Sequence, residues 1–584
     1  MRRPGSTRPL VLLLLLGVVP ARSIESPQNH AAWWVDTFGV VDPEDDAQVK
    51  RAHEVFRRVR GVADKRGSRY PRLLVLRARA EPFAVALPDG SVILTRAGLT
   101  LCFEGVDRRW GDSRLAFVLG HELGHLARDD FWHAFAFAAL RQALPGEHSP
   151  VENLVREDAR TAQAKELQAD YAGIVYMTLA GYRPQAVLGR TGSFLETWVA
   201  RTSAEAGDTH HPKPSQRAAL VRAELRLMAA SLDFFHFGTR LLQLGRYEDA
   251  VGLLEHFRDR FPGRSVYSNL GLAHYRLGQQ ALVDCGGHRE VTRFMLPVRV
   301  DSRTLARRVR IRGLGPCRSA LRVRRAFEEA ERVLRHAVEK DATYRPAALN
   351  LAATFIMRGE PSRGLGVIED ALKSAPNDPD ALNVKAVALY LYGVYARIDT
   401  AGAALEILDG VRGRHPHDVA SAYNLAAILQ ERRRGRSARE AWRRFLALEP
   451  RGLFAAAARR VLQVEPVERK AVGGPEAREA GPLPLGSLSP ATRRRLEPLT
   501  RSPFDLGGLR GAFYVGGSLR VLELHDALEI VEQELARPMS AARILERLGT
   551  PLFEDATEGG GRLLRYEGVA YDVRDGQAVR RVFF

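Results

Sequence analysis

Two histidines and a glutamate stand close together in the segment His121-Glu122-Leu123-Gly124-His125. Residues i and i+4 share one face of a helix, so His121 and His125 can present ring nitrogens to a single zinc ion. Glu122 would then lie beside the open coordination position of the metal, where a carboxylate can act as a general base for peptide hydrolysis. An isolated match also arises by chance in roughly a few per cent of such chains, so other ligands are needed to support this interpretation.

A second acidic motif lies downstream, in the segment Lys165-Glu166-Leu167-Gln168-Ala169-Asp170. On a helix, Glu166 and Asp170 share a face, so Glu166 can be a third zinc ligand while Asp170 hydrogen-bonds the far nitrogen of a histidine ligand. Taken alone, an acidic pair with this spacing is more typical of an exposed helix. The motif therefore gains weight only together with the two histidines.

Four segments, in this order and spacing, resemble the M48 family of zinc metallopeptidases. They are residues 83–90, residues 94–99, residues 115–120 directly before His121, and residues 166–170. The resemblance covers about residues 45–225. It implies one zinc ion per chain held by His121, His125 and Glu166, with Glu122 as general base and Asp170 as support. The chain departs from the family after His125, where Arg128-Asp129-Asp130 stands in place of a further histidine.

A fifth segment resembles the His-Pro stretch of the same family, with an arginine six residues after its histidine. It reads Thr209-His210-His211-Pro212-Lys213-Pro214-Ser215-Gln216-Arg217. The resemblance implies that His211 and Arg217 reach the catalytic site, where they would stabilise the oxyanion or close the fourth zinc position as a plug. A loop that caps the next helix is the alternative. The doubled histidine leaves the assignment open between His210 and His211.

The elements that must position these side chains lie in residues 28–225, for which we predict a mainly helical, zincin-like metallopeptidase domain with a small sheet. Residues 72–76 and 91–95 have strand composition, and Pro88-Asp89-Gly90 predicts a tight turn before the second strand. Residues 115–127 predict a helix that carries both histidines. We expect the strand at 91–95 to be the edge with which an extended substrate pairs.

Residues 231–460 predict an α-solenoid of tetratricopeptide repeats, with an irregular helical bundle as the alternative. Residues at the offsets of the 34-residue pattern are Phe234, Gly238, Gly245, Tyr247, Ala250 and Pro262, and Asn350-Leu351-Ala352 recurs as Asn424-Leu425-Ala426. Stacked repeats expose a concave surface suited to peptides or partner proteins. A strand-rich insertion is expected at residues 279–325.

Three cysteines occur in the chain. A disulfide between Cys285 and Cys317 would close the predicted insertion, but free thiols are an equal alternative. Cys102 stands between Leu101 and Phe103, which favours a small buried side chain over a nucleophile.

The remainder of the chain predicts a linker at residues 461–490 and a small C-terminal domain of mixed helix and strand at residues 491–584. Helices are expected near residues 525–548. A hairpin is expected from residues 568–573 and 578–583 around the turn Asp575-Gly576.

The N-terminus predicts a secretory signal peptide at residues 1–23. Arg2, Arg3 and Arg8 precede an apolar run of about ten residues, which is too short to span a bilayer comfortably. We therefore expect an exported, soluble protein. Together with the repeats, this signal resembles the periplasmic branch of the family in Gram-negative bacteria, whose members are associated with outer-membrane protein quality control.

A net charge of +18 accompanies this organisation, but only eight of the 87 basic residues are lysines, and the arginines are spread along the chain. This distribution favours solvated helix faces over a nucleic-acid site, although an anionic membrane surface stays an alternative partner. The expected function is a zinc endopeptidase that hydrolyses misfolded or stalled envelope proteins, with repeats that recruit substrate or an outer-membrane assembly complex. The alternative is a catalytically silent repeat chaperone or scaffold.

Overall fold

The computed structural model describes residues 30–65, 70–78, 80–129, 150–187, 194–202, 214–300, 320–450, 452–465, 481–549, 551, 553–556 and 561–584. The predicted signal peptide and residues 466–480 of the predicted linker lie outside these ranges. Within them, no helix combines the length and the apolar character needed to cross a membrane.

The N-terminal part of the chain is mainly helical around a three-stranded sheet. Its elements are α1 Ala31–Phe38, α2 Ala47–Arg60, β1 Arg72–Leu76, β2 Ala84–Ala86, β3 Ser91–Thr95, α3 Arg96–Phe103, α4 Arg108–Arg128, α5 Pro150–Leu179 and α6 Phe194–Thr202. The strands are ordered β1-β3-β2, with β1 parallel and β2 antiparallel to β3. The predicted strands at 72–76 and 91–95 and the predicted helix are confirmed.

The prediction that residues 91–95 form the free edge of the sheet is wrong. β3 lies in the centre, because the turn at residues 88–90 folds β2 back onto it. Gly90 adopts a φ of 89° in this turn, a conformation that glycine accepts without strain. The outer side of β1 is bonded by Val41, whose N–H donates to the Val75 carbonyl at 2.9 Å. Among the described residues, β2 is therefore the other edge strand of this sheet.

Stacked helical pairs follow, as the repeat pattern predicts. Their helices are α7 Pro214–Leu244, α8 Tyr247–Arg260, α9 Arg264–Asp284, α10 His288–Thr292, α11 Ala320–Lys340, α12 Arg345–Met357, α13 Pro361–Ser374, α14 Pro379–Ala396, α15 Ala401–Arg414, α16 Val419–Glu431, α17 Gly435–Leu448 and α18 Leu453–Leu462. Gly238 packs closely against α8, since a Cβ there would lie 3.0 Å from Leu254 Cγ. The small residues of the pattern thus set the distance between paired helices.

The predicted insertion separates the two helices of one repeat, α9 and α11. These helices pack directly on each other, because a Cβ on Gly271 would lie 2.5 Å from Leu334 Cγ. The expectation of a strand-rich insertion is wrong for its described residues, in which α9 continues to Asp284 and the short α10 follows. Cys285 is disulfide-bonded and Cys102 is a buried free thiol, whereas Cys317 lies outside the described residues.

The C-terminal part is built on a nine-stranded antiparallel sheet. Its elements are β4 Gly486–Ser487, α19 Pro490–Leu496, β5 Thr500–Asp505, β6 Arg510–Gly516, β7 Leu519–Leu524, β8 Ala527–Ser540, α20 Ala541–Leu548, β9 Phe553–Ala556, β10 Arg562–Arg565, β11 Val569–Arg574 and β12 Gln577–Phe583. The strand order is β5-β6-β7-β8-β12-β11-β10-β9, and β4 pairs with β8. The predicted hairpin around Asp575 and Gly576 is confirmed, and both turn residues have positive φ.

The prediction of helices near residues 525–548 is wrong up to Ser540, because Ala527–Ser540 form the long strand β8. Its alanine, leucine and glutamate content favours a helix by local propensity. Pairing with β7 on one side and β12 on the other outweighs this preference. The helix is limited to α20, which begins after Ser540, whose Oγ accepts the N–H of Arg543 at 3.3 Å.

The first helical pair, α7 and α8, contacts both the N-terminal domain and the C-terminal sheet. On one face, Phe237 stacks on Phe513 of the C-terminal sheet with ring centroids 5.3 Å apart. There Arg240 donates from Nε to Oε1 of Glu532 at 2.6 Å, with both side chains at most 2% exposed. On the other face, Leu254 and Phe257 belong to the core of the N-terminal domain. The repeats are therefore packed against both flanking parts.

We expect His236→Gln to change how stability depends on pH at this interface. Burial lowers the pKa of His236 to about 4, and Arg520 and Arg580 add to the effect, although Nε2 lies 2.8 Å from Oε2 of Glu532. Between this value and about 6.5, the unfolded chain binds a proton that the folded chain does not bind, so stability falls as pH decreases. When the pH falls from 7.5 to 4.5, the free energy of unfolding of the variant should therefore decrease by about 2 kcal/mol less than that of the wild type.

Urea unfolding of wild type and His236→Gln at both pH values, followed by circular dichroism, measures this difference. Asp233 lies at the same interface, and burial raises its pKa to about 6, which gives the opposite pH dependence in both proteins. The difference between the two proteins therefore gives the contribution of His236 to the pH dependence of stability. Equal losses of stability in wild type and variant would contradict the expectation.

Candidate metal centre

The helix α4 carries His121, Glu122 and His125 into the core. It begins after Asp107, whose Oδ1 accepts the N–H groups of Arg109 and Trp110 at 2.8 and 3.0 Å. Apolar residues then bury it on nearly every side, and His125 is only 2% exposed. The helix continues without a break through both histidines, so the i, i+4 spacing places their rings side by side.

A close crossing of α4 and α5 brings the acidic motif to the histidines. A Cβ on Gly124 would lie 2.9 Å from Ala172 Cβ, and one on Gly120 would lie 3.1 Å from Gly173 Cα. Only glycine leaves room for the facing helix at these positions. The spacing Gly120-x-x-x-Gly124 is the signal in the sequence that indicates such a crossing.

Three side chains converge at this crossing. His121 Nε2 and His125 Nε2 lie 3.1 Å apart. Glu166 Oε1 lies 3.2 Å from His125 Nε2, and Glu166 Oε2 lies 3.6 Å from His121 Nε2. Donor atoms about 2.0–2.2 Å from the centre of a tetrahedron lie roughly 3.3–3.6 Å from one another. Glu166 approaches the two nitrogens with different oxygens, and one ligand atom from each side chain lies within 4.8 Å of the others, so the three side chains supply the nitrogen and oxygen donors that suit zinc.

Asp170 orients one of these ligands from behind. His121 Nδ1 lies 2.8 Å from Asp170 Oδ1, so this nitrogen donates to the carboxylate while Nε2 faces the other donors. Burial lowers the pKa of His121, but the hydrogen bond to Asp170 and the charges of Asp170 and Glu166 outweigh it and raise the pKa overall. Such a contact fixes the tautomer of the imidazole and makes it a stronger ligand.

Glu122 lies next to the ligands but turns towards the sheet. Its side chain is buried, and burial raises the pKa of its carboxyl group, although the charges of His121 and His125 oppose this shift. A hydrogen bond from the backbone of Ala86, the last residue of β2, acts in the same direction as these charges. A carboxylate with an elevated pKa beside a metal site is suited to accept and return a proton.

The structure brings together His121, Glu122, His125, Glu166 and Asp170. His210 and His211 lie outside the described residues, and Arg217 lies in α7 with its side chain undescribed. Their role at the site stays a prediction. Sequence reasoning missed the contribution of Ala86, since only the pairing of β2 with β3 brings this strand to the catalytic helix.

We expect Gly124→Val to weaken metal binding by separating α4 from α5. Valine adds a Cβ, which would lie 2.9 Å from Ala172 Cβ, and two methyl groups beyond it, and this should cost about 1–3 kcal/mol of stability and lower zinc affinity at least about tenfold. Thermal unfolding and competition with a zinc chelator measure the two effects. Gly366→Val is the matched control, because Gly366 is exposed in α13 and a Cβ there meets no atom within 4 Å. A variant that binds zinc as tightly as this control would contradict the role of the crossing.

Comparisons with known proteins agree with this arrangement. Residues 49–145, which include His121 and His125, match Peptidase family M48, and residues 324–388 match a tetratricopeptide repeat. No curated protein matches the chain.

Similar solved structures include MamA from Desulfovibrio magneticus RS-1, with 13% identity over 38% of this chain and 96% of that chain and a TM-score of 0.25. Yeast Tom70 matches with 11% identity over 62% of this chain and 68% of that chain and a TM-score of 0.26. The TPR protein YrrB matches with 14% identity over 39% of this chain and 92% of that chain and a TM-score of 0.22. The family matches agree with the predicted family: the chain combines a region that matches Peptidase family M48 with a region that matches a tetratricopeptide repeat.

Proposed function

We propose that the protein is a zinc-dependent endopeptidase. The observation that supports this proposal best is the convergence of His121, His125 and Glu166, whose candidate ligand atoms all lie within 4.8 Å of one another. Glu122 is buried beside them, where a scaffold without catalytic activity has no physical need for a carboxylate. The ligand set and the general base together make hydrolysis of a peptide bond the reaction that suits the site.

The side chains divide the proposed chemistry among them. When bound, zinc supplies Lewis-acid chemistry that acidifies a water molecule and polarises the scissile carbonyl. Glu122 accepts the proton of the attacking water and later returns it to the leaving amine. His121 Nδ1 lies 2.8 Å from Oδ1 of Asp170, and this contact holds His121 in the tautomer whose Nε2 faces the metal position.

The outer edge of β2 suits an extended polypeptide substrate. β2 is an edge strand, and the backbone of its last residue, Ala86, bonds Glu122, so a substrate strand that pairs with β2 would lie beside this carboxylate. A substrate strand that pairs there gains main-chain hydrogen bonds that do not depend on its sequence. Such binding favours internal segments of unfolded chains, since a folded protein rarely offers a free strand of this kind.

We further propose that the substrates are misfolded or stalled proteins of the bacterial envelope. The basic and apolar pattern of residues 1–23 supports export to the periplasm, as a soluble protein or one peripheral to the outer membrane. The repeats support recruitment of protein partners, such as an outer-membrane assembly complex.

Removal of zinc tests the enzymatic part of this proposal. The full chain should cleave a reduced and carboxymethylated protein, lose at least 95% (about twentyfold) of this activity after dialysis against a chelator, and regain it with one equivalent of zinc. Gel electrophoresis of the digest and metal analysis of the same sample measure both quantities. Cleavage that continues undiminished in the metal-free protein would contradict the proposal.

A further inference from the structure

A segment of the chain itself, residues 293–300, lies along the helical repeats. It follows α10 without helix or strand structure and contacts the first helices of three successive pairs, α12, α14 and α16. The first helices of such pairs line the surface with which stacked repeats bind other polypeptides. We call this surface, defined by Asn350, Asp380, Asn424 and Glu431, the repeat groove.

Two asparagines hold the main chain of the segment. Asn424 accepts the N–H of Met295 at 2.8 Å and donates to the Met295 carbonyl at 2.9 Å. Asn350 accepts the N–H of Arg299 at 2.7 Å and donates to the Arg299 carbonyl at 2.5 Å. Each asparagine thus satisfies both polar groups of one residue, as a neighbouring strand would do.

The two asparagines occupy equivalent places in their helices. Asn350 is the sixth residue of α12 and Asn424 the sixth residue of α16, and both lie in the recurring Asn-Leu-Ala motif. Both side chains are fully buried beneath the segment. Their bonding partners, Met295 and Arg299, are four residues apart, a span of roughly 13 Å for an extended chain.

Acidic residues beside the asparagines bind the arginines of the segment. Arg293 donates from two nitrogens to the two carboxylate oxygens of Glu431, at 2.9 and 3.0 Å. Arg299 donates from Nε to Oδ2 of Asp380 at 2.8 Å. These paired contacts recognise a planar cation at two points that are six residues apart along the bound chain.

Apolar contacts fill the space between the polar ones. Phe294, Val298 and Val300 are buried, and the ring of Phe294 meets that of Tyr390 edge to face, with centroids 6.0 Å apart. The groove therefore combines main-chain clamps, apolar pockets and two acidic positions. This combination describes a binding site for a polypeptide rather than for a small molecule.

We propose that the repeat groove binds extended segments of other proteins that carry basic residues about six positions apart, and that residues 293–300 are its built-in occupant. The asparagines contact only backbone atoms of the occupant, so they do not require its particular side chains. A tethered occupant acts at an effective concentration of about millimolar or higher, so a ligand in solution has to displace it. This inference concerns the repeats and does not depend on peptidase activity.

A labelled peptide with the sequence of residues 293–300 tests the proposal by fluorescence anisotropy. The protein carries Glu122→Gln, so that cleavage of the peptide does not disturb the measurement. Arg293→Glu with Arg299→Glu in the protein should release its own segment, because both ion pairs are lost and each new carboxylate faces Glu431 or Asp380, although Arg345 also bonds Asp380. The released protein should bind the peptide at least about tenfold more tightly than the protein with an intact segment.

Two controls decide the outcome. The first control adds Asn350→Ala and Asn424→Ala to the released protein, which should abolish binding of the peptide. The second control changes the peptide: N-methylation at Met295 and Arg299 should weaken binding far more than N-methylation at Leu296. Arg299→Ala alone provides a milder release if the double charge reversal prevents folding, as judged by circular dichroism. The proposal is overturned if release does not strengthen binding, or if binding survives loss of both asparagines.

Discussion

Glu122→Gln is expected to reduce proteolysis by about 10³-fold while the protein still binds one zinc ion per chain. Glutamine has nearly the same shape as glutamate but cannot accept the proton of an attacking water, and general base catalysis typically contributes 10²–10⁴-fold. Zinc should stay bound, because His121, His125 and Glu166 are unchanged. Initial rates on an unfolded protein substrate and metal analysis of the same preparation measure the two quantities.

Asp112→Asn is the matched control for this substitution. Asp112 is a buried carboxylate of the same helix, but it accepts from Nε of Arg51 at 2.9 Å instead of lying beside the ligands. The control should cost stability without changing the rate per bound zinc. Proteolysis retained by Glu122→Gln at the level of this control would rule out Glu122 as the base.

Asp170→Asn is expected to weaken zinc binding by about 10- to 100-fold, the usual effect of losing a hydrogen-bond partner behind a metal ligand. The neutral amide can still occupy the position 2.8 Å from His121 Nδ1, but it no longer supplies the negative charge that strengthens this imidazole as a ligand. Competition with a chromophoric zinc chelator measures the affinity.

Gln168→Ala is the control on the same helix, since Gln168 is exposed and lies between the two acidic residues. It should bind zinc as the wild type does. If Asp170→Asn matched this control in zinc affinity, the contact between Asp170 and His121 would be structural only, and the assignment of Asp170 as a positioning residue would be wrong.

Helical periodicity made the core of the site predictable. The pairs His121 and His125, and Glu166 and Asp170, each use the i, i+4 spacing, and a single crossing of α4 and α5 brings them together. The crossing itself depends on which small residues face each other, namely Gly124 and Ala172, and a sequence does not state which helices meet. The ligands and Asp170 could therefore be named in advance, but the small residues that set the helix crossing could not.

Sheet neighbours were harder to predict than helices. The strand at 91–95 was found by its composition, yet its place between β1 and β2 results from pairing between separate segments. The same reason explains the error at β8, whose helix-forming residues become a strand because β7 and β12 bond it on both sides. Local propensity carries no information about such partners.

The repeat groove shows a different limit of the sequence. The recurrence of Asn350-Leu351-Ala352 as Asn424-Leu425-Ala426 was visible, but it indicated only a repeated helix. The asparagines of this motif also bind the main chain of Met295 and Arg299. This role depends on a segment that lies more than fifty residues away from the first asparagine in the sequence. A repeated polar residue that is buried is therefore a candidate for binding as well as for packing.

Zinc K-edge X-ray absorption of the full-length protein addresses the metal centre itself. We expect one zinc ion per chain, with imidazole nitrogen at about 2.0–2.1 Å, a carboxylate oxygen and no sulfur in its coordination shell, and we expect this signal to disappear in His125→Ala. Substoichiometric zinc in the wild type, a shell containing sulfur, or an unchanged spectrum in His125→Ala would contradict the assignment of His121, His125 and Glu166 as the ligands.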